Sequence, residues 1–203
     1  MQKLRVVARL TRLLLVLLLG MFMASLIALG ERLGFKAPLE RRQRWTCLFM
    51  KRLVAALPFN VRVVGELPQR PMLWVSNHVS WTDIPLLGML LPLSFLSKAE
   101  VRHWPVAGWL AEKAGTLFIR RGGGDSQRLH EQIAGQLGLA RPLLIFPEGT
   151  TTCGRNLRTF MAACWQVPST GARRCSRWLS SICVMARSIR LRRSLATMIW
   201  CRT

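Results

Sequence analysis

The chain has 203 residues, of which 51% are hydrophobic, and 30 Lys and Arg against 9 Asp and Glu give it a formal net charge of +21. This length suits one domain with a hydrophobic core, or one domain plus a membrane anchor. The charge argues against cationic partners and favours nucleic acid, phosphate-bearing substrates or an anionic membrane surface. The six cysteines lack the paired C-x-x-C spacing of a zinc site, and a disulfide framework is a less favoured alternative.

The first predicted element is an apolar helix near the N-terminus. Residues Leu13 to Gly30 contain no charged group, and as a helix they would span about 27 Å, close to the hydrocarbon thickness of a bilayer. Basic residues flank the run on both sides, so its orientation is undefined. A secretory signal peptide and a helix lying at the cytoplasmic interface are alternatives. We predict that residues 1–50 form a membrane anchor or interfacial helices.

Residues 51–160 alternate between strand-like and helix-like segments. Short apolar runs indicate strands at 61–65, 72–76, 115–119 and 142–146, with helices at about 84–91, 104–114 and 126–139. Short buried strands that alternate with helices predict an α/β fold with a mainly parallel sheet flanked by helices.

Polar groups follow three of these strands. In an open α/β sheet, ligands bind beyond the carboxyl ends of the strands, so groups that follow parallel strands should converge on one edge. A guanidinium suits phosphate, and the amides of a tight turn can hold an anion, although solvated arginines and an ordinary turn are equally open. The residues concerned are Asn77 and His78, then Arg120 and Arg121, then Glu148, Gly149 and Thr150.

His78 and Asp83 are candidates for a catalytic pair. Five residues on one continuous helix would point the two side chains about 140° apart, so they can meet only if His78 lies in a loop and Asp83 opens the next helix. Pro85 fits the first turn of such a helix. A carboxylate on one ring nitrogen would leave the other free to accept a proton. Alternatively, Asp83 only caps the helix with Ser80 in an S-x-x-D box.

Three motifs in this order resemble the 1-acylglycerol-3-phosphate acyltransferase family of glycerolipid biosynthesis. They are N-H-V-S-W-T-D from residue 77, G-T-L-F-I-R-R from residue 115 and F-P-E-G-T from residue 146. The resemblance covers roughly residues 60–160, and the N-terminal helix is also similar. It implies that residues 51–160 are the catalytic part of an acyltransferase domain.

The resemblance also implies roles for individual residues. It makes His78 the general base and Asp83 its orienting partner, and it makes Asn77 a substrate-binding residue beside them. It places Arg121 on the acceptor's phosphate, while Arg120 stands at a position that is often acidic. The remaining implied substrate-binding residues are Lys98, Glu148, Gly149 and Thr150.

The implied reaction moves an acyl group from coenzyme A or acyl carrier protein to the free hydroxyl of lysophosphatidic acid or a related lysolipid. Neither a cofactor nor a metal is implied. The acceptor and the product reside in the bilayer, so the resemblance implies the cytoplasmic membrane with the site facing the cytoplasm, and no nucleic acid. A membrane-associated hydrolase that uses the same pair is one alternative, although no G-x-S-x-G motif is present. A membrane-tethered basic nucleic-acid-binding protein is the other.

The C-terminal part differs in composition from the rest of the chain. From Gly149 onward, 55 residues contain no Asp, Glu or Lys, but ten Arg and five of the six Cys. Typical chains are about 25% charged, so such a run has odds of about one in a thousand. This bias is typical of a GC-rich gene read out of frame. We interpret residues 161–203 as an out-of-frame tail that lacks a family-like strand and helix pairing. Such a tail would leave the sheet short of strands and this polypeptide unstable or inactive.

Resequencing the gene tests this interpretation. We expect a single-base deletion near the codon of Phe160, with native sequence before it and unselected sequence after it. An intact reading frame across Phe160 and Met161 would contradict the interpretation, as would a tail that packs as a well-formed half of the core.

Overall fold

The computed structural model describes residues 2–64, 67, 72–120, 126–151, 182–190 and 195–201. Its helices are α1 (Gln2–Arg32), α2 (Leu39–Ala56), α3 (Asp83–Gly88), α4 (Ala107–Ala114) and α5 (Ser126–Gly138), with a 3₁₀ turn at Ala99–His103. Its strands are β1 (Asn60–Val64), β2 (Leu73–Ser76), β3 (Ser94–Lys98), β4 (Leu117–Ile119), β5 (Leu143–Ile145), β6 (Ile182–Arg190) and β7 (Leu195–Cys201).

These strands form a single mixed sheet in the order β1-β7-β6-β2-β5-β3-β4. All neighbouring strands pair in parallel except β6 and β7, which are antiparallel. The predicted α/β fold with a mainly parallel sheet flanked by helices is therefore confirmed. The four predicted strands correspond to β1, β2, β4 and β5, whereas β3 was not predicted.

Alternate residues of β2 and β5 build a core on each face of the sheet. Trp74 and Leu144 point to one face, where they pack with residues of α2 and α3 such as Val54 and Leu86. Leu73, Val75, Leu143 and Ile145 point to the other face and pack against Ile133 of α5. Successive strand residues face opposite sides, so two central strands buried on both faces require a helix layer on each side. Strands β2 and β5 therefore lie in the centre of the sheet, between the two helix layers.

Helix α1 packs along α2 and α4 through its C-terminal half. A Cβ atom at Gly20 would lie 2.5 Å from the ring of Phe49, so a larger residue there would force the ring to shift. Near the end of α1, Glu31 forms ion pairs with Arg42 of α2 and Lys113 of α4. Helix α1 is thus joined to α2 and α4 by apolar packing and charge.

Much of α1 exposes apolar side chains. Within the described residues it is the one helix long and apolar enough to cross a membrane, with a mean hydropathy of 2.6 in its most apolar window. Its exposed large apolar residues are Leu4, Val6, Val7, Leu10, Leu14, Leu15, Leu17, Leu18, Leu19, Phe22, Leu26 and Leu29. Such a surface is unfavourable in water and favourable against lipid.

The prediction that the tail leaves the sheet short of strands is wrong. Strands β6 and β7 both come from beyond Phe160, and they lie between β1 and β2 in the sheet. Their sequences, ICVMARSIR and LATMIWC, contain the apolar and β-branched residues that suit a sheet, and their pairing satisfies backbone groups along β2 and β1. The packing of their side chains lies outside the described residues. The frameshift itself concerns the gene and stays a prediction.

Candidate active site

The first part of the site is the loop between β2 and α3. Strand β2 is buried throughout and ends at Ser76. The chain then continues through the buried Asn77 and the half-buried His78, and α3 begins at Asp83. Pro85 lies in the first turn of α3, where proline is tolerated because no helical hydrogen bond to its nitrogen is needed. The predicted change from loop to helix between His78 and Asp83 is therefore present.

The carboxylate of Asp83 organises this loop. Its Oδ2 accepts hydrogen bonds from the backbone N–H groups of Val79 and Ser80, at 2.7 and 2.8 Å, and lies 3.0 Å from Nδ1 of His78. Asp83 is only 2% exposed. The bond to Ser80 is one half of the S-x-x-D capping box. The N-cap residue of α3 is Thr82, which makes no side-chain cap hydrogen bond, so the Asp83 carboxylate holds the turn before the helix and also contacts the imidazole.

This contact assigns the proton on the imidazole ring. An ionised carboxylate can only accept hydrogen bonds, so the proton shared with Asp83 belongs to Nδ1 of His78. The other nitrogen, Nε2, then carries a lone pair and can accept a proton from a bound molecule. Burial lowers the pKa of His78 from the ordinary value of 6.5, while the nearby Glu148 carboxylate acts in the opposite direction. The imidazole is therefore neutral at neutral pH.

Phe146 fixes the ring of His78 from the neighbouring strand. The two ring centroids are 4.2 Å apart and the ring planes differ by 22°, which is a stacked arrangement. Phe146 directly follows β5, the strand paired with β2. Sequence reasoning placed Phe146 at the end of a strand and at the start of the third motif, and it predicted no contact with His78. The parallel pairing of its strand with the one before His78 is the signal that could have indicated the contact.

The turn after β5 carries the third motif. Gly149 has a φ angle of +71°, a conformation that favours glycine, and its N–H donates to the carbonyl of Phe146 at 3.1 Å. Glu148 is 6% exposed, whereas Thr150 is exposed. The tight turn therefore places a buried carboxylate close to His78 and an exposed hydroxyl beyond it.

The basic candidates follow the next two strands. Lys98 ends β3 and is half-buried, and Arg120 follows β4 and is exposed. Because β2, β5, β3 and β4 are consecutive and parallel, the groups that follow them share one edge of the sheet. Arg121 lies outside the described residues. The described edge thus carries an imidazole, two carboxylates and two cationic side chains.

Known proteins resemble this chain in sequence and in fold. The sequence profile of the family described as Acyltransferase matches residues 59–168. The lyso-ornithine lipid O-acyltransferase of Pseudomonas aeruginosa is 62% identical over 160 residues, covering 79% of this chain and 62% of that protein. The 1-acyl-sn-glycerol-3-phosphate acyltransferase of Neisseria meningitidis serogroup B is 34% identical over 130 residues, covering 63% of this chain and 51% of that protein. The chain therefore spans less than two thirds of the length of either relative.

The crystal structure of the 1-acyl-sn-glycerophosphate acyltransferase PlsC from Thermotoga maritima has the same fold. It superimposes with a TM-score of 0.55 at 22% identity, over 96% of this chain and 86% of that one. Since the family profile matches more than half of the chain, the chain belongs to the acyltransferase family. The resemblance to this family seen in the sequence is therefore confirmed.

The hydrogen bonds of Asp83 predict that substitution of Asp83 destabilises the fold more than substitution of His78. Asp83→Asn converts half of an acceptor-only group into a donor that faces two backbone N–H groups. We expect it to lower the free energy of unfolding by about 2–4 kcal/mol, because buried bonds to a charged acceptor are worth about 1.5–3 kcal/mol each. His78→Ala leaves both backbone bonds in place and should cost clearly less. Urea unfolding of the two variants measures the difference. Equal stability of wild type and Asp83→Asn would contradict this account of the loop.

Proposed function

We propose that the chain transfers a fatty acyl group from an acyl thioester, carried by coenzyme A or acyl carrier protein, to the free hydroxyl of a lysolipid. The observation that carries the proposal is the pairing of His78 Nδ1 with Asp83 Oδ2 at 3.0 Å. This pairing leaves Nε2 as the proton acceptor at the edge of the sheet where ligands of α/β proteins bind. A base positioned in this way typically contributes a factor of about 10² to 10⁴ in rate.

The reaction follows from the state of the imidazole. Nε2 of His78 takes the proton from the acceptor's hydroxyl while its oxygen attacks the carbonyl carbon of the thioester. The carbon–sulfur bond then breaks, and the departing thiolate takes the proton from the imidazolium. Asp83 keeps the ring in the tautomer that permits the first step and stabilises the positive charge that forms.

Lyso-ornithine lipid is the acceptor that we favour. The support is the P. aeruginosa relative, whose name specifies this acceptor and whose identity to the chain is 62%. Lysophosphatidic acid, the acceptor that the sequence motifs first suggested, is the second candidate, since the N. meningitidis relative is named for that reaction at 34% identity. Both acceptors carry an anionic group and a free hydroxyl, so the same dyad can serve either one.

The basic groups beyond β3 and β4 are proposed to hold the acceptor's anionic group. Lys98 and Arg120 lie at the same sheet edge as His78, and Arg121 continues the second motif. The backbone amides near Gly149 and the hydroxyl of Thr150 would add hydrogen-bond donors, with Asn77 and Glu148 lining the same edge. A guanidinium binds phosphate and carboxylate with the same fork geometry. These residues are therefore compatible with both acceptors.

The proposed location is the cytoplasmic face of the inner membrane. Helix α1 exposes an apolar surface suited to lipid, and both the acceptor and the product are membrane lipids. The thioester donors are cytoplasmic molecules, so the proposal places the site on that side.

A hydrolase is the less favoured alternative, because it needs a nucleophile beside His78. The hydroxyl of Ser76 donates instead to the carbonyl of Asn77 at 3.0 Å. That of Ser80 accepts the N–H of Thr82 at 3.4 Å. Membership of the acyltransferase family likewise disfavours the nucleic-acid-binding alternative.

An acyl-transfer assay tests the proposal. The full chain, and a version with the reading frame restored after Phe160, are placed in zwitterionic liposomes with acyl-CoA and either acceptor. We expect faster turnover with lyso-ornithine lipid, and a loss of about 10²- to 10⁴-fold in His78→Ala. Because burial lowers the pKa of His78, the base stays neutral at lower pH, and the acidic limb of kcat/KM should lie below 6.5.

The possible outcomes separate the candidates. Faster transfer to lysophosphatidic acid would overturn the favoured acceptor and leave the reaction class intact. No transfer to either acceptor by both versions, or an active His78→Ala variant, would overturn the proposed function itself.

A further inference from the structure

Glu148 carries a buried carboxylate that accepts no hydrogen bond from the described residues. It is 6% exposed, and within the described part of the chain neither of its carboxylate oxygens has a hydrogen-bond partner, although both are shielded from solvent. Burial of an unpaired charge is costly, and natural proteins rarely keep one unless it has a use. A group of this kind becomes favourable when a positive charge or a hydrogen-bond donor develops beside it.

The fold directs Glu148 towards His78. Phe146, two residues earlier, stacks on the imidazole, and the Gly149 N–H closes the turn back onto the Phe146 carbonyl. This turn holds the Glu148 carboxylate close enough to act on the charge of the ring. The charged groups around the imidazole in the described residues are thus Asp83 from α3 and Glu148 from the turn after β5. The cationic residues at this sheet edge are Lys98, which ends β3, and Arg120, which follows β4.

We infer that Glu148 stabilises the positive charge that His78 acquires when it takes the proton of the acceptor's hydroxyl. This inference rests on the proposed acyl transfer and gives Glu148 a role beyond the acceptor binding suggested by the third motif. Glu148 acts on the reaction only through His78, by placing a negative charge beside the imidazole. It is therefore a positioning residue and not a catalytic one. When the imidazolium passes its proton to the departing thiolate, the interaction relaxes and the site returns to its starting state.

Asp83 and Glu148 have different effects on the imidazole of His78. Asp83 is engaged by two backbone N–H groups and by Nδ1, so it sets the orientation and tautomer of the ring. The Glu148 carboxylate is committed to no such bond among the described residues, so its contribution is its charge. A fixed charge in a site shielded from water acts strongly and needs no reorganisation during the reaction. The cost of burying Glu148 in the resting state is thus offset in the transition state.

Histidine NMR on the full chain in detergent micelles tests the inference without relying on turnover. The chain has three histidines, His78, His103 and His130, and the His78→Ala variant assigns the signal of interest. We expect Glu148→Gln, which keeps the size of the side chain and removes its charge, to lower the pKa of His78. We expect no loss in Tm, because the substitution removes an unpaired buried charge. Glu100→Gln, at an exposed glutamate of the 3₁₀ turn, is the matched control and should leave both quantities unchanged.

Kinetics in liposomes supply the second arm. In Glu148→Gln, kcat should fall by about 10²-fold, the low end of the effect of one pre-organised electrostatic group, and the acidic limb of kcat/KM should move to lower pH. The acceptor KM should change by less than about twofold, since uniform binding is retained.

Three results would overturn the inference. An unmoved His78 titration with a raised acceptor KM would make Glu148 an acceptor-binding group only. An unmoved titration with a lowered Tm would make it a structural residue of the turn. An unmoved His78 titration with unchanged kinetics would show that Glu148 has no role in the reaction. Because the titration is measured without substrate, failure of acyl transfer and failure of this inference are distinguishable.

Discussion

The hydrogen bonds of the Asp83 carboxylate are the constraint on which the candidate site depends. One buried oxygen accepts hydrogen bonds from two backbone N–H groups of the preceding loop and faces Nδ1 of His78. The backbone bonds hold the loop in a tight turn, and that turn brings together two side chains that a continuous helix would separate. The same group therefore shapes the local fold and sets the chemistry of the imidazole. Few substitutions at this position could preserve both effects.

The sheet determines which other residues lie near this loop. Alternate residues of β2 and β5 are buried on opposite faces, with Trp74 and Leu144 on one side and Leu73 and Leu143 on the other. This packing fixes the parallel register of the two strands, and so it fixes where each strand ends. Phe146 stacks on His78, and Glu148 lies near enough to act on the charge of the ring, because the segments after β2 and β5 leave the same sheet edge. The geometry of the candidate site is thus a consequence of core packing as much as of local turns.

Sequence reasoning predicted the parts of this arrangement that depend on local signals. The apolar runs of β2 and β5 and the change from loop to helix before Asp83 were each visible in a few residues. β3 escaped because its sequence, SFLSK, has no β-branched residue and only a short apolar centre. The contact of Phe146 with His78 escaped because it depends on which strands become neighbours. Strand β4 begins two residues later than predicted because Gly115 ends α4 in a left-handed conformation.

The tail shows a different limit of reasoning from composition. The absence of acidic residues after Gly149 suggested a segment that would leave the sheet short of strands. Strand pairing, however, requires extended backbone and apolar or β-branched side chains, and the segments at β6 and β7 contain both. An unusual charge composition therefore says little about whether a segment can pair with an open sheet edge. The origin of the composition is a separate question about the gene.

The account depends most directly on which nitrogen of His78 carries the proton. Long-range ¹⁵N–¹H correlation NMR of the full chain above pH 7 reports this tautomer for the signal assigned by His78→Ala. The account predicts a proton on Nδ1 and a lone pair on Nε2, with a mixture of tautomers once Asp83 is changed to Asn. A proton on Nε2 in the wild-type chain would contradict it, because the nitrogen facing the acceptor could then not act as a base.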